Sequence, residues 1–180
     1  MNNDIEEILF DRDSIHQAAQ RLGKQITEDY AGKRPLVLSV LKGAYLWTGD
    51  VIREIELYVN LEFIKISSYH GGVSSSNEIE LVTDIRTDVA GRDVIILEDI
   101  VDTGQSLRFL KDLLADRGAN SIRVATLLDK KGGRKIEIDA DYVGFDVRNE
   151  FVVGYGLDYK DLYRNLPYVG ILKKSIYTKD

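Results

Sequence analysis

The chain contains no cysteine. That excludes disulfide scaffolds, thiolate zinc sites and thiol catalysis, and it fits a cytoplasmic protein. Histidine is nearly as scarce: His16 and His70 are the only two, which argues against a multi-imidazole metal centre. Positive charge is in the minority, with 24 Lys and Arg against 30 Asp and Glu and a net charge of −6. An acidic chain is a poor partner for a phosphate backbone, so no nonspecific nucleic-acid binding is expected. No apolar run approaches the roughly 20 residues that cross a bilayer, so no membrane partner is expected either. The first ten residues, MNNDIEEILF, are acidic and lack the basic segment that precedes the apolar stretch of a secretory signal. Only two prolines occur, Pro35 and Pro167, and there is no repeat, low-complexity tract or linker. What is present is 44% hydrophobic residues in 180, enough for one full core.

Short β-rich runs alternate with helical patterns, which predicts an α/β domain with a mostly parallel central sheet flanked by helices. A first helix is expected from Asp13 or Ser14, with Ile15, Ala18, Ala19, Leu22, Ile26 and Tyr30 at helical spacing and Gly32 ending it. Leu36 to Leu41 reads as a buried strand and 44–55 as a second helix facing inward through Leu46, Trp47, Val51 and Ile55. A longer strand, 57–68, leads into the Gly/Ser-rich stretch YHGGVSSSNE, expected to be a mobile loop. Further strands are expected at 80–84, 93–98 and 122–128, with a helix at 103–117 ended by Gly118. The strand-like runs 142–147, 151–154 and 168–172 are expected to cover one end of the sheet. The division is thus one domain over 1–180, with a core of about 30–145 and a small hood from the N-terminal segment and about 146–180.

The strongest local signal is 94–107, VIILEDIVDTGQSL. An apolar strand ends in Glu98 and Asp99, and Asp102-Thr103-Gly104-Gln105-Ser106 opens a helix. Parallel α/β sheets bind ligands at the carboxyl ends of their strands. A helix start offers unpaired amides and partial positive charge, a cradle for phosphate. Carboxylates beside it can accept from sugar hydroxyls and attract Mg²⁺. The combination predicts a sugar phosphate with magnesium. The plainer alternative is that Asp102 caps the helix while Glu98 and Asp99 are solvated. Ile-Val-Asp-Thr-Gly also matches the local signature of aspartic proteases. Those are all-β, whereas SLRFLKDLLADRG continues here with helical period and propensity.

With four further segments in order, the chain resembles the type I phosphoribosyltransferases. Residues 94–107 resemble that family's phosphoribosyl-diphosphate motif. Leu41-Lys42-Gly43 resembles its pyrophosphate loop, and Ser67 to His70, SSYH, the start of its closing loop. LLDKK, 127–131, resembles the region that carries a purine-contacting lysine. FVVGYGLDY, 151–159, followed by Arg164, is similar to the purine-end signature of the hypoxanthine-guanine branch.

The resemblance implies a Rossmann-like fold with a hood and a homodimer or homotetramer. It also implies a Mg²⁺-dependent transfer from phosphoribosyl diphosphate to N9 of hypoxanthine or guanine, giving IMP or GMP and pyrophosphate. It implies that 102–106 hold the 5′-phosphate and that Glu98 and Asp99 engage the ribose, directly or through metal. Asp102 would be the acid/base group near purine N7. Lys42, Gly43 and Arg164 would contact pyrophosphate, after a Leu41–Lys42 peptide that is often cis in the family. Ser68 and Tyr69 would close over the reaction. Lys130 would donate to the purine O6, Phe151 would stack on the ring, Val152 would offer backbone hydrogen bonds, and Asp158 would serve the purine end and the metal.

Each role has a plainer rival: a solvated loop lysine for Lys130, core strand residues for Phe151 and Val152, an ordinary exposed loop for 68–70. Lys130, Lys131, Arg134 and Lys135 also read as a small nucleic-acid patch, against which the net charge counts. Glu150 stands where some relatives carry lysine, which leaves the preference among hypoxanthine, guanine and xanthine open. The rival functions are a regulator that keeps the pocket but binds nucleic acid, and a sister enzyme for adenine or a pyrimidine.

Overall fold

The computed structural model describes residues 1–68 and 79–178. The expected mobile loop, with Tyr69 and His70, lies outside them. The elements in order are β1 (Ile5–Phe10), α1 (Arg12–Asp29), β2 (Leu36–Leu41), α2 (Tyr45–Arg53), β3 (Asn60–Ser68), β4 (Ile79–Thr83), β5 (Asp93–Val101), α3 (Gln105–Asp116), β6 (Ser121–Asp129), β7 (Tyr142–Asp146), β8 (Val152–Val153), β9 (Val169–Leu172) and α4 (Lys174–Tyr177).

Six strands form one sheet in the order β4-β3-β2-β5-β6-β7. β3, β2, β5, β6 and β7 run parallel, and β4 pairs antiparallel at the edge. The central strands LVLSVL and DVIILEDIV read as nearly continuous apolar runs because helices cover both faces of a parallel sheet. On one face Ile95 and Leu97 pack with Ile15, Leu22 and Ile26 of α1 and Trp47 and Val51 of α2. On the other, Val94 and Ile96 pack with Leu107, Leu110 and Leu114, one stripe of α3. Each such fully buried side chain contributes roughly 1.5–3 kcal/mol.

Differences from the expected boundaries have local causes. α1 starts one turn early, because the Asp11 carboxylate accepts from the Ser14 amide at 2.8 Å and takes the cap position. β5 runs through the acidic pair to Val101, since Ile100 and Val101 stay in register with Leu128 and Asp129. α3 therefore begins only at Gln105, after Gly104 at φ +83°. A second sheet, order β1-β9-β8, is antiparallel and joins the N-terminal strand to the C-terminal one; the run 142–147, expected among the covering strands, instead extends the main sheet as β7, because it pairs in parallel with β6. No helix among the described residues is long and apolar enough to cross a membrane.

Candidate active site

β2 and β5 are neighbours in the sheet, but the chain leaves β2 toward β3 on one side and β5 toward β6 on the other. Their carboxyl ends therefore border a topological switch point, where open α/β sheets bind ligands. The loop after β2 carries Lys42 and Gly43, and the loop after β5 carries Asp102, Thr103 and Gly104. The first of these loops packs against β5 itself: a Cβ at Gly43 would lie 1.6 Å from Asp99 Oδ2, so a larger residue there requires the Asp99 carboxylate to move. The Leu41–Lys42 peptide is cis.

Glu98, Ile100, Val101, Asp102, Thr103, Gly104, Ser106 and Leu107 line a small cavity of about 200 Å³ at the start of α3. The Gln105 amide is 3.4 Å from Thr103 Oγ1. The turn is held from outside by a segment that the motif does not include. Arg134 donates to the carbonyls of Val101 at 3.1 Å and Asp102 at 3.2 Å, and pairs with the buried Asp129. The Lys135 and Ile136 amides donate to the Thr103 carbonyl at 3.0 and 3.2 Å. Arg134 is thus committed inward. Lys131 pairs with Asp146 at 3.0 Å, so these two members of the supposed basic patch are already engaged within the fold.

Consecutive strand residues leave opposite faces, and the acidic pair divides accordingly. Glu98 lines the cavity. Its Oε2 is buried without a hydrogen-bond partner among the described residues. Burial, then the neighbouring Asp99, pushes its carboxyl well above the usual range. Asp99 faces Gly43 and accepts the Ile100 amide at 2.8 Å. Burial raises its carboxyl to about 6, partly offset by backbone amides and Arg164 and reinforced by Asp158. An orphaned, desolvated carboxylate oxygen fits a site that receives a cation or hydroxyl donors from outside. Among the described residues, no three carboxylates gather into a ready-made metal cage. Glu98, Asp99 and Asp158 are not one cluster, which suits Mg²⁺ held by one or two carboxylates together with substrate oxygens and water.

The cations come from three other segments. Lys130 follows β6, with its amide donating to the Val101 carbonyl at 2.9 Å. Its Nζ lies 3.3 Å from Asp102 Oδ2, so it is not a solvated loop lysine. Gly133 gives this pair room, since a Cβ there would stand 1.8 Å from Asp102 Oδ1. Lys42 reaches Asp161 at 3.0 Å. Arg164 reaches Asp158 at 2.6 Å, Asp161 at 3.2 Å and the Gly156 carbonyl at 2.7 Å. The loop that carries Asp158, Asp161 and Arg164 has four non-glycine residues at positive φ: Tyr155, Lys160, Asp161 and Tyr163. Such backbone is kept only where its surroundings impose it, often at ligand sites. Phe151 is 38% exposed and Val152 is buried, so the core-strand alternative holds for Val152 and fails for Phe151. Ser68 ends β3 and pairs with Ile79; its partner in the expected closing loop, Tyr69, is among the residues not described.

Sequence reasoning missed Asp129, Gly133, Asp161 and the inward role of Arg134. The Gly-Gly pair two residues after Lys130 was the one visible signal. Nothing in the local pattern marks Asp161.

Residues 7–160 match the profile of a phosphoribosyl transferase domain. The chain is 49% identical over 179 residues, 99% of both chains, to a protein of Streptococcus agalactiae named hypoxanthine-guanine phosphoribosyltransferase. It is 48% identical over 178 residues, again 99% of both, to one of the same name from Streptococcus pneumoniae. A crystal structure of a hypoxanthine phosphoribosyltransferase from Staphylococcus aureus superposes with a TM-score of 0.93 at 44% identity, covering 98% of this chain and 96% of that one. A ternary substrate complex of the Trypanosoma cruzi hypoxanthine phosphoribosyltransferase, in a variant with one lysine replaced by arginine, gives a TM-score of 0.91 at 39% identity, covering 97% and 99%. A sheet whose switch point borders the loops after β2 and β5, a matching family profile and full-length relatives at this identity leave one assignment: the chain belongs to the phosphoribosyl transferase family.

Proposed function

We propose that the protein is a purine-salvage enzyme of the cytoplasm that joins hypoxanthine or guanine to the ribose of phosphoribosyl diphosphate. The C1′–O bond to pyrophosphate breaks, the C1′–N9 bond forms, and pyrophosphate departs with the bonding electrons. IMP or GMP is the product, and the purine proton passes to a carboxylate. The observation that carries this reading is the Lys130–Asp102 pair, which joins the residue after β6 to the first residue of the loop after β5. A lysine donor suits a 6-oxo acceptor. The 6-amino group of adenine presents N–H bonds instead and would leave the ammonium unpaired, which is a basis for discrimination.

Residues 102–106 bind the 5′-phosphate through amides and hydroxyls. Asp102 accepts the proton from purine N7 as the base becomes a better nucleophile. Lys42 with the Gly43 amide and Arg164 take the pyrophosphate; each cation exchanges an internal carboxylate for a ligand oxygen. Glu98, Asp99 and Asp158 are the carboxylates that would hold Mg²⁺, whose chemistry there is to neutralise charge on the departing diphosphate. Phe151 stacks on the base and Val152 offers it backbone hydrogen bonds. Positioning and charge stabilisation then supply the rate, with no covalent enzyme intermediate.

Incubation with the sugar donor, Mg²⁺ and labelled hypoxanthine, guanine, xanthine, adenine and uracil tests this. IMP and GMP should form, and AMP and UMP should not. Efficient AMP formation defeats the Lys130 argument, and no product from any base defeats the enzyme reading.

A further inference from the structure

The Phe151 ring stacks on Tyr177 with centroids 4.9 Å apart and planes at 26°. Tyr159 meets it edge-on at 5.7 Å and 89°, and Tyr159 meets Tyr177 at 6.4 Å and 65°. A phenyl ring has two faces and a rim. Tyr177 stacks on the ring and Tyr159 stands perpendicular to it, yet Phe151 remains 38% exposed, so part of the ring is left for a ligand.

Tyr177 is brought there by a tethered segment. The Leu172 amide donates to the Phe151 carbonyl at 2.9 Å, and the Lys173 amide to the Asp4 carbonyl at 2.9 Å. Lys173 Nζ donates to the Asn3 carbonyl at 2.6 Å. These bonds fix the start of α4, whose Ile176 and Tyr177 pack against Val153, Leu166 and Leu172. The end of the chain is thus tied to the residue whose ring it supports.

We propose that Tyr177 is a positioning residue for the purine: it backs Phe151 so that the exposed part of the ring meets the base, giving a three-layer stack of Tyr177, Phe151 and purine. This rests on the base-stacking role of Phe151 proposed above. Stacked aromatic pairs favour one offset geometry, which holds the Phe151 side chain in one rotamer before the base arrives. Without Tyr177 the ring is freer, and ordering it falls to the binding step. The effect belongs on affinity for the base, because Tyr177 contributes no group to the reacting atoms.

Steady-state kinetics of Tyr177→Ala and Tyr177→Phe with hypoxanthine and guanine test this, with calorimetric titration of GMP as an equilibrium readout. Tyr177→Ala should raise KM for the base and Kd for GMP by about three- to tenfold, the worth of one aromatic stack. kcat and KM for phosphoribosyl diphosphate should stay within about twofold. Tyr177→Phe should match the wild type, because the ring and not the hydroxyl stacks. An unchanged base KM overturns the proposal. So does a lowered one, which would mean that Tyr177 occupies the purine's place, and so does a loss spread evenly over kcat and both substrates, which would mean a loosened hood. A wild type that transfers to no 6-oxopurine overturns the functional reading itself, whereas an active wild type matched by Tyr177→Ala overturns only the role of Tyr177.

Discussion

The two ends of the site treat charge in opposite ways. At the carboxyl end of β5, Glu98 keeps a buried oxygen with no hydrogen-bond partner among the described residues, and Asp99 is pushed toward neutrality by burial. By contrast, Lys130, Lys42 and Arg164 are already satisfied by Asp102, Asp161 and Asp158. One end is unfinished without something from solution, and the other must give up an internal partner to take its ligand. An orphaned carboxylate is costly in a folded protein, whereas a partly exposed ion pair costs little to open. The acids therefore mark where a cation or hydroxyls must arrive, and the paired cations mark where exchange must be easy.

Asp102 belongs to both ends, so replacing it tests the comparison hardest. Asp102→Asn should lower kcat by about 10²- to 10⁴-fold, the usual worth of a positioned general base. Affinity for IMP should stay within a few-fold, because the phosphate is held by the amides of the turn. Single-turnover kinetics beside an IMP titration separate the two, and an undiminished kcat removes Asp102 from the chemistry. Lys130→Met comes next. It should cost about ten- to a hundredfold in kcat/KM for hypoxanthine, the worth of a hydrogen bond to a charged group, while the low rate with adenine stays flat or rises. Equal losses on both bases would make Lys130 a mere partner of Asp102.

How far this division is legible in the sequence depends on the separation of the groups that make it. β2 is read residue for residue at 36–41, and the sugar-phosphate turn is visible because strand, acids, small residues and helix follow one another in 14 positions. Within that turn the helix starts later than its pattern suggests: Asp102 and Thr103 lie before α3, because β5 holds its register to Val101 and Gly104 takes the left-handed conformation. β1 shows no clear alternation, since residues 6–8 are exposed, and its partner β9 lies at the other end of the chain. Asp161 and Tyr177 escape for the same reason. Lys42 and Asp161 are 119 residues apart, and no periodicity reports such a meeting.

The contact between Gly43 and Asp99 of β5 gives a gentler probe. Gly43→Ala places a methyl against Asp99 and should raise KM for phosphoribosyl diphosphate about tenfold, within the usual range for overpacking. Gly49→Ala, where the added methyl meets nothing within 4 Å on α2, should leave activity alone and stabilise the fold by about 0.5–1 kcal/mol. Similar behaviour of the two variants would show that Asp99 yields freely, and the unfinished end would then not be rigid.

A further effect is on stability, and its sign is set by Asp99. A carboxyl raised to about 6 from 3.8 leaves the native state holding more protons than the unfolded state between those two values. Stability contributed by this group therefore falls as pH rises through that window and stays low above it. Asp99→Asn removes the penalty. Measured by urea denaturation, its stability relative to wild type should climb from nothing near pH 4 to roughly 3 kcal/mol above pH 6, then level off. A constant difference would mean that the effect is packing and not ionisation. Mg²⁺ with pyrophosphate should shrink the difference at neutral pH, because a bound cation favours the ionised carboxylate in the wild type and has nothing to favour in the amide.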